Sequence, residues 1–361
     1  MSATAPATDF DIRGTIQAVV DGRELSLDEA TAAMDAVMSG AVTPAQVGAL
    51  ATALRMRGET VQEIAGFAAA MRKHALHVDV SREGGPLVDT CGTGGDAAGT
   101  FNISTTASFA IAAAGVRMAK HGNRAMTSKC GSADLLEGLG VAIELPPPAV
   151  ARCIEEVGIG FMYAPAFHPA MRFVGPARRE IGIRTIFNIL GPLTNPAGAE
   201  HQLVGVGHRG IAPKMAAALQ TLGSQHAVLV HAETGLDELG VSGPSQVTEY
   251  DARRGDIRTY TISPEQFGLE PGQPRDLLGG GVERNVEITL AILHGERGPR
   301  RTATLLNAGA GIYAANAAVT FEDGIAMAAD VIDSGEALAV LGRLVATSQR
   351  LAAESRDAVP A

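Results

Sequence analysis

The strongest constraint on the fold is a change in sequence pattern near Leu87. Before it, residues 10–77 contain three capping-box sequences, which begin at Ser26, Thr43 and Thr60 and are typical of helix starts. After it, apolar strand-like runs alternate with helical segments, a pattern typical of a mostly parallel sheet flanked by helices. We therefore predict an α/β protein with a small all-helical N-terminal domain and a large α/β domain.

The predicted domains are residues 1–80, joined by helical segments from about 168–192, and residues 81–361. The predicted strands are 86–89, 116–120, 141–144, 159–163, 202–206 and 226–231, followed by an antiparallel pair within 246–262. The predicted helices of the large domain are 105–114, 132–139, 148–157, 213–222, 282–295, 301–316 and 321–351.

Composition and charge exclude several classes of protein. The chain has 29 Lys and Arg against 39 Asp and Glu, a net charge of −10, so nonspecific nucleic-acid binding is disfavoured. No apolar run approaches the roughly 18 residues of a membrane span, and the N-terminal sequence lacks a signal-peptide pattern. Cys91, Cys130 and Cys153 match no zinc-site spacing and indicate reduced thiols. These features predict a cytoplasmic protein without nucleic-acid or membrane partners.

A glycine-rich loop, DTCGTGGD at residues 89–96, directly follows the first predicted strand. Three glycines in four positions allow successive backbone N–H groups to point at one anion. The carboxylate of Asp96 at the end of the loop suits a phosphate that carries a metal ion. The alternative interpretation is a tight turn after a strand.

A second candidate anion site follows at Asn102, Ser104 and Thr105, where the next helix is predicted to begin. The N–H groups and the positive dipole end of a helix favour phosphate at such a position. Plain helix capping is the alternative. Because two such sites lie close together in the chain, they suggest one ligand with two separated phosphate groups.

Further polar groups follow other predicted strands. Lys120 offers a positive charge to phosphate, and Ser132 offers a hydroxyl at a helix start, although a solvated turn would also explain them. Asp237 and Glu238 form an adjacent carboxylate pair of the kind that binds Mg²⁺, or a merely solvated pair.

A dinucleotide-binding pattern, GxGxxG at residues 205–210, also follows a predicted strand. Pro213 is predicted to clash inside the helix that would carry the pyrophosphate, which argues against that interpretation. Gly309 and Gly311 lie in an apolar helical stretch and predict close helix packing.

The ordered set of motifs resembles the anthranilate phosphoribosyltransferase family, and the likeness covers nearly the whole chain. The motifs that carry it are GTGGD, NIST, KHGNR, KCGSADLLEGLG, YAPAFHPAM, RREIGIRTIFNILGPLTNP and GLDEL. The resemblance implies a magnesium-dependent pentosyltransferase of tryptophan biosynthesis, which joins anthranilate to 5-phosphoribosyl 1-pyrophosphate (PRPP). It also implies a homodimer formed through the N-terminal helical domain.

The resemblance also implies site residues. For PRPP they are Gly92, Thr93, Gly94, Gly95, Asp96, Asn102, Ser104, Thr105, Lys120 and Ser132. For anthranilate they are Gly92, His121, Asn123, His168, Arg178, Gly191 and Pro192, with Arg178 pairing to the carboxylate. For Mg²⁺ they are Ser104, Asp237 and Glu238. No residue is expected as an obligatory acid or base, and His121 is expected only to position the acceptor.

Two other functions remain open. A pyrimidine-nucleoside phosphorylase shares this architecture and binds phosphate near a Lys and Ser region, but it has little use for paired magnesium carboxylates or for Arg178. A non-catalytic relative that binds nucleic acid is disfavoured by the net charge of −10.

Overall fold

The computed structural model describes residues 10–96, 98–125 and 128–357. These residues divide into two units. The first comprises the chain up to Ala75 together with His168–Thr194, and the second comprises Leu76–Phe167 and the chain from Asn195 onward. No helix within the described ranges combines the length and apolar character that a bilayer crossing requires.

The described residues form α-helices and β-strands with the following bounds. The helices are α1 Ile12–Val20, α2 Leu27–Met38, α3 Pro44–Arg57, α4 Val61–Lys73, α5 Ile103–Ala113, α6 Ser132–Gly138, α7 Pro147–Val157, α8 Ala164–Phe167, α9 Gly175–Ile181, α10 Ala212–Thr221, α11 Val282–Leu293, α12 Pro299–Ala314, α13 Phe321–Asp333 and α14 Glu336–Asp357. The strands are β1 Leu87–Gly92, β2 Arg117–Gly122, β3 Ile159–Tyr163, β4 His201–Gly205, β5 His226–Ala232, β6 Ser245–Asp251 and β7 Asp256–Ile262.

The first unit is helical, and its helix starts confirm the sequence prediction. Complete capping boxes form at Ser26, Thr43 and Thr60, where each side chain accepts a backbone N–H and the third helical residue returns the contact. Glu63 of α4 is fully buried, accepts the N–H of Leu25 at 2.9 Å and pairs with Arg57. This buried ion pair satisfies groups that would otherwise be costly inside the unit.

The second unit is built on a seven-stranded sheet with the order β3-β2-β1-β4-β5-β6-β7. Strands β1 to β5 are parallel, and β6 and β7 are antiparallel to their neighbours, which confirms the predicted mostly parallel sheet. Helices α5, α7, α10 and α12 pack against it. Because β1 to β5 are parallel, the loops that follow them leave the same edge of the sheet, where ligands bind in open α/β sheets.

Three secondary-structure predictions are corrected. Residues 141–144 form no strand, although Val141 and Ile143 are buried, because they pack into the core without a partner strand. The predicted helix 321–351 is divided between α13 and α14 at Gly335, whose φ of 84° lies in the left-handed region. The segment 168–192 holds one short α-helix, α9, between 3₁₀ turns.

The predicted close packing at Gly309 and Gly311 is confirmed. A Cβ atom on Gly309 would lie 2.5 Å from Cγ1 of Ile325 on α13, and one on Gly311 would lie 2.4 Å from Cδ1 of Ile111 on α5. Glycine at these positions lets α12 approach both neighbouring helices.

Candidate active site

The glycine-rich loop after β1 is fixed against the end of β4. The N–H of Thr93 donates to the carbonyl of Gly205 at 2.9 Å, and the Thr93 hydroxyl accepts the N–H of Gly207 at 2.9 Å. Gly94 and Gly95 have φ values of 61° and 82°, in the left-handed region that favours glycine. The loop therefore has the backbone conformation that turns N–H groups toward an anion.

The glycines of the GxGxxG pattern make room for this loop and for its neighbour. A Cβ on Gly205 would lie 1.7 Å from the carbonyl oxygen of Asp237, and one on Gly207 would lie 2.8 Å from the carbonyl oxygen of Gly94. The predicted clash at Pro213 is wrong, because Pro213 lies in the first turn of α10, where proline is tolerated. Close backbone approach accounts for the two glycines without a dinucleotide.

Three carboxylates meet beside the loop. Asp237 accepts the N–H of Gly94 at 2.8 Å and is hydrogen-bonded to Asp96, and Glu238 accepts the N–H of Ser104 at 3.2 Å. Burial and the charge of Asp96 raise the pKa of Asp237, and burial and the charge of Asp237 raise the pKa of Glu238 to about 8. A divalent cation would relieve this repulsion, so the donor set fits Mg²⁺.

Helix α5 begins beside these carboxylates. Asn102 precedes it but makes no side-chain cap to its own helix; instead its Nδ2 donates to the carbonyl of Cys130 at 3.1 Å. Ser104 contacts Glu238 through both its N–H and its hydroxyl. Thr105 is buried, with 1% of its surface exposed. The glycine-rich loop, the α5 start and the carboxylate pair thus lie together in the structure.

Lys120 lies beneath the loop rather than on its surface. It is 2% exposed, and its Nζ donates to the carbonyl of Thr90 at 2.7 Å and to the Thr90 hydroxyl at 3.2 Å. Burial lowers the pKa of Lys120, while the carboxylates of Asp89 and Glu238 oppose that shift. Its charge therefore acts on the carboxylates as well as on any anion in the loop.

Sequence reasoning missed the residues that support Lys120. Asp89 is fully buried and accepts the N–H of His121 at 3.1 Å and Nδ2 of Asn195 at 2.8 Å. Asn195 also donates to the carbonyl of Ala119 at 2.8 Å. Both residues lie in or beside motifs that carry the family resemblance, and this position is the sequence signal that could have identified them.

The loop after β2 brings Asn123 and Ser132 together. The Ser132 hydroxyl accepts the N–H of Asn123 and donates to its carbonyl, both at 3.2 Å. A Cβ on Gly122 would lie 2.2 Å from that hydroxyl oxygen, so the contact depends on glycine. His121, at the end of β2, is buried.

The remaining predicted residues belong to the first unit. Arg178 lies in the last turn of α9, partly buried, and burial lowers its pKa. Among the described residues, no hydrogen bond or ion pair holds its guanidinium, so it is free to pair with an anion. Gly191 and Pro192 form a 3₁₀ turn whose Leu193 carbonyl accepts Nε of Arg72 at 2.7 Å.

His168 should make the stability of the protein depend on pH. Burial lowers its pKa to about 4, although a hydrogen bond with Thr194 opposes the shift. Because the folded chain then binds fewer protons than the unfolded chain between about pH 4 and 6.5, stability falls as the pH falls through that range. Between pH 7 and pH 5, we expect the free energy of unfolding to fall by about 2 kcal/mol less in His168→Gln than in wild type.

Urea unfolding of wild type and variant at both pH values measures this difference. His77→Gln, at an exposed position, supplies the matched control for the substitution itself. Equal pH dependence in wild type and His168→Gln would contradict the prediction.

A second cluster of potential metal ligands lies at the start of β5 and does not include Asp96, Asp237 or Glu238. His226, Glu249 and Asp251 approach one another closely within the described residues. However, Arg254 pairs with Glu249 at 2.7 Å and with Asp251 at 3.0 Å, and His226 contacts Glu249 at 3.0 Å. Tyr313 also donates to Glu249, at 2.7 Å. The carboxylates of this cluster are thus already paired with cationic and hydrogen-bonding side chains.

Two family models define the class of protein. Residues 13–75 match the model described as "Glycosyl transferase family, helical bundle domain". Residues 84–338 match the model described as "Glycosyl transferase family, a/b domain". The chain thus has the two-domain organisation of this class of glycosyl transferase.

Individual relatives narrow the class. The anthranilate phosphoribosyltransferase of Chloroflexus aurantiacus is 56% identical over 343 residues, which cover 94% of this chain and 99% of the relative. The crystal structure of the Thermus thermophilus enzyme of that name has a TM-score of 0.87 and 45% identity, covering 92% of this chain and 99% of that one. The Saccharomyces cerevisiae enzyme in complex with PRPP and Mg has a TM-score of 0.85 and 27% identity, covering 95% and 99%. The chain belongs to the anthranilate phosphoribosyltransferase family.

Proposed function

We propose that this enzyme transfers the phosphoribosyl group of PRPP to the amine of anthranilate, releasing pyrophosphate, in tryptophan biosynthesis. The observation that carries the proposal is the arrangement after β1 and β5. There a glycine-rich loop and a helix start, both suited to phosphate, flank the carboxylates of Asp96, Asp237 and Glu238. A diphosphate that carries a metal ion matches this set of groups.

We infer that Mg²⁺ is held by Ser104, Asp237 and Glu238. Support comes from the raised pKa values of both carboxyl groups, because a bound cation would favour the charged forms that burial and mutual repulsion disfavour. The yeast relative was solved with PRPP and Mg. When bound, Mg²⁺ would stabilise charge on the leaving diphosphate.

The chain's own residues bind and orient the donor. The N–H groups of residues 92–95 are proposed to bind the pyrophosphate, and Asn102, Ser104, Thr105, Lys120 and Ser132 the 5′-phosphate and nearby oxygens. Lys120, held by Thr90, adds a fixed positive charge close to the loop. Such preorganised groups lower the barrier because they need not reorient as charge develops on the departing diphosphate.

The acceptor needs little activation. An aromatic amine is already neutral at pH 7, so its lone pair can attack C1′ of the ribose as the C1′–O bond to pyrophosphate breaks, with inversion. The nitrogen then loses one proton, to the departing pyrophosphate or to water. No obligatory base is assigned, and His121 is proposed to orient the acceptor. The other residues proposed to contact anthranilate are Gly92, Asn123, His168, Arg178, Gly191 and Pro192.

Arg178→Ala should raise the KM for anthranilate at least about tenfold, because a bidentate pair between guanidinium and carboxylate would be lost. The KM for PRPP should change by less than about twofold. Steady-state kinetics with each substrate varied in turn measures the two constants. The neighbouring Arg179→Ala, on the exposed side of α9, is the control. Equal effects of Arg178→Ala on both KM values would refute the assigned role.

Loss of anthranilate fluorescence on addition of PRPP, with and without Mg²⁺, tests the whole proposal. Decay that depends on Mg²⁺ would support donor, acceptor and metal together. A flat trace from folded protein would refute the acceptor assignment. Phosphate-dependent cleavage of a pyrimidine nucleoside would instead favour the phosphorylase alternative.

We also propose a cytoplasmic homodimer that forms through the first unit. Val20 on α1 and Met56 on α3 are large apolar side chains, 63% and 83% exposed, on helices that pack together. Cys91, Cys130 and Cys153 are free thiols, which suits a reducing compartment. A monomer by light scattering at micromolar concentration would refute the dimer.

A further inference from the structure

Asn285 on α11 is a buried polar residue that neither the motifs nor the proposed ligand contacts include. It is 1% exposed. Its Oδ1 accepts the N–H of Gly280 at 2.8 Å, and its Nδ2 donates to Oδ1 of Asn102 at 2.9 Å. Asn102 in turn donates from Nδ2 to the carbonyl of Cys130 at 3.1 Å. The two amides thus form a relay from Gly280 to Cys130.

The direction of this relay is fixed at both ends. The backbone N–H of Gly280 can only donate, so it must face Oδ1 of Asn285. The backbone carbonyl of Cys130 can only accept, so it must face Nδ2 of Asn102. If either amide between these ends flipped, a donor would face a donor or an acceptor would face an acceptor. The relay therefore determines that Asn102 presents its amide as a donor on the Cys130 side.

Residues 277–280, where the relay begins, also bind the backbone of residues 99–101, which lie between the glycine-rich loop and the start of α5. The N–H of Phe101 donates to the carbonyl of Leu277 at 2.9 Å, and the N–H of Gly279 donates to the carbonyl of Gly99 at 3.0 Å. A Cβ on Gly279 would lie 2.5 Å from Oδ1 of Asn285. Asn285 thus connects this segment to the start of α5.

We propose that Asn285 is a positioning residue for the phosphoribosyl donor. It accepts from Gly280 and donates to Asn102, which leaves the second N–H of Asn102 Nδ2 to donate to a phosphate oxygen. Because Asn102 makes no cap to its own helix, its orientation depends on this relay. The inference rests on the proposed function, since it requires that Asn102 contacts PRPP.

A double-mutant cycle with Asn285→Ala and Asn102→Ala tests whether Asn285 acts through Asn102. We expect each single change to raise the KM for PRPP about tenfold, the effect of one lost hydrogen bond to a charged oxygen. The combined variant should exceed either single variant by less than about twofold. The KM for anthranilate should stay within about twofold of wild type.

Two further variants separate positioning from general stability. Asn285→Asp keeps the shape and the bond from Gly280 but cannot donate to Asn102, so it should resemble Asn285→Ala. Thr289→Val is the matched control, because the Thr289 hydroxyl contacts Thr106 at 3.0 Å and joins the same two helices without touching the Asn102 side chain. It should lower the melting temperature and leave the KM for PRPP unchanged.

The outcomes are distinguishable. Wild type that forms no product from PRPP and anthranilate would refute the proposed function, whatever the variants do. Active wild type with an unchanged PRPP KM in Asn285→Ala would overturn the inference. So would additive effects in the cycle, a wild-type KM in Asn285→Asp, or an equal rise in Thr289→Val.

Discussion

Replacing Asp237 by Asn and Glu238 by Gln together should lower kcat/KM at least about 100-fold at Mg²⁺ concentrations that saturate wild type. The amides remove both negative charges while they keep the size of the side chains. Cation affinity should fall, because neutral oxygens bind Mg²⁺ less well than carboxylates. Initial rates across a Mg²⁺ titration measure both effects.

The same variant should fold at least as well as wild type in the presence of a chelator. The carboxylates repel one another when no cation is bound, and this repulsion adds to burial in raising their pKa values. The control is Glu233→Gln, which removes an exposed carboxylate from the same loop. Its initial rates should depend on Mg²⁺ concentration as those of wild type do. An unchanged Mg²⁺ titration in the double variant would remove both residues from the metal site.

Gly205→Ala should be the most disruptive Gly-to-Ala change among the described glycines whose surroundings are known, because Gly205 leaves the least room for an added Cβ. The added Cβ would lie 1.7 Å from the carbonyl oxygen of Asp237 and 2.7 Å from its carbonyl carbon, so backbone must move. Because Gly205 also accepts the N–H of Thr93, the movement would reach the glycine-rich loop. We expect a loss of at least about 100-fold in kcat/KM and a destabilisation of about 1–3 kcal/mol.

Steady-state kinetics and urea unfolding of the Gly205→Ala variant measure these two effects. Gly342→Ala is the matched control, since Gly342 lies inside α14 and, apart from the backbone of its own helix, no described atom lies within 4 Å of the added Cβ. That control should be slightly more stable than wild type, by about 0.5–1 kcal/mol, because alanine favours a helix. Wild-type activity in Gly205→Ala would show that the two loops do not depend on their close approach.

The elements that local sequence determines were predicted well. The capping boxes at Ser26, Thr43 and Thr60 lie within four residues of chain, so their geometry is readable from the sequence. The segment 141–144 was wrongly predicted as a strand, because alternating apolar residues can be buried without a strand partner. Gly335 shows the same limit: its positive φ, which divides α13 from α14, is a conformation that glycine permits but does not require.

The candidate site could be predicted as residue types but not as contacts. Motif spacing indicated the glycine-rich loop and the carboxylate pair, each of which follows a strand. It could not indicate that Lys120 bonds to Thr90, or that Asn285, 183 residues from Asn102, orients its amide. Nor could it explain Gly205, since the atom that excludes a side chain there belongs to Asp237. Contacts between distant segments arise only when the sheet has assembled.

The order of the chain also determines when the protein can assemble during synthesis. The first unit needs His168–Thr194, which emerge only after three strands of the sheet, and β1 needs its neighbour β4, which emerges later still. The first unit therefore cannot complete its packing until Thr194 has left the ribosome, and the second must wait for β4 and the elements that follow it. Helices α1–α4 and strands β1–β3 thus spend about half of translation without the segments that complete their packing. The apolar surface that they expose in that time is a natural target for chaperones.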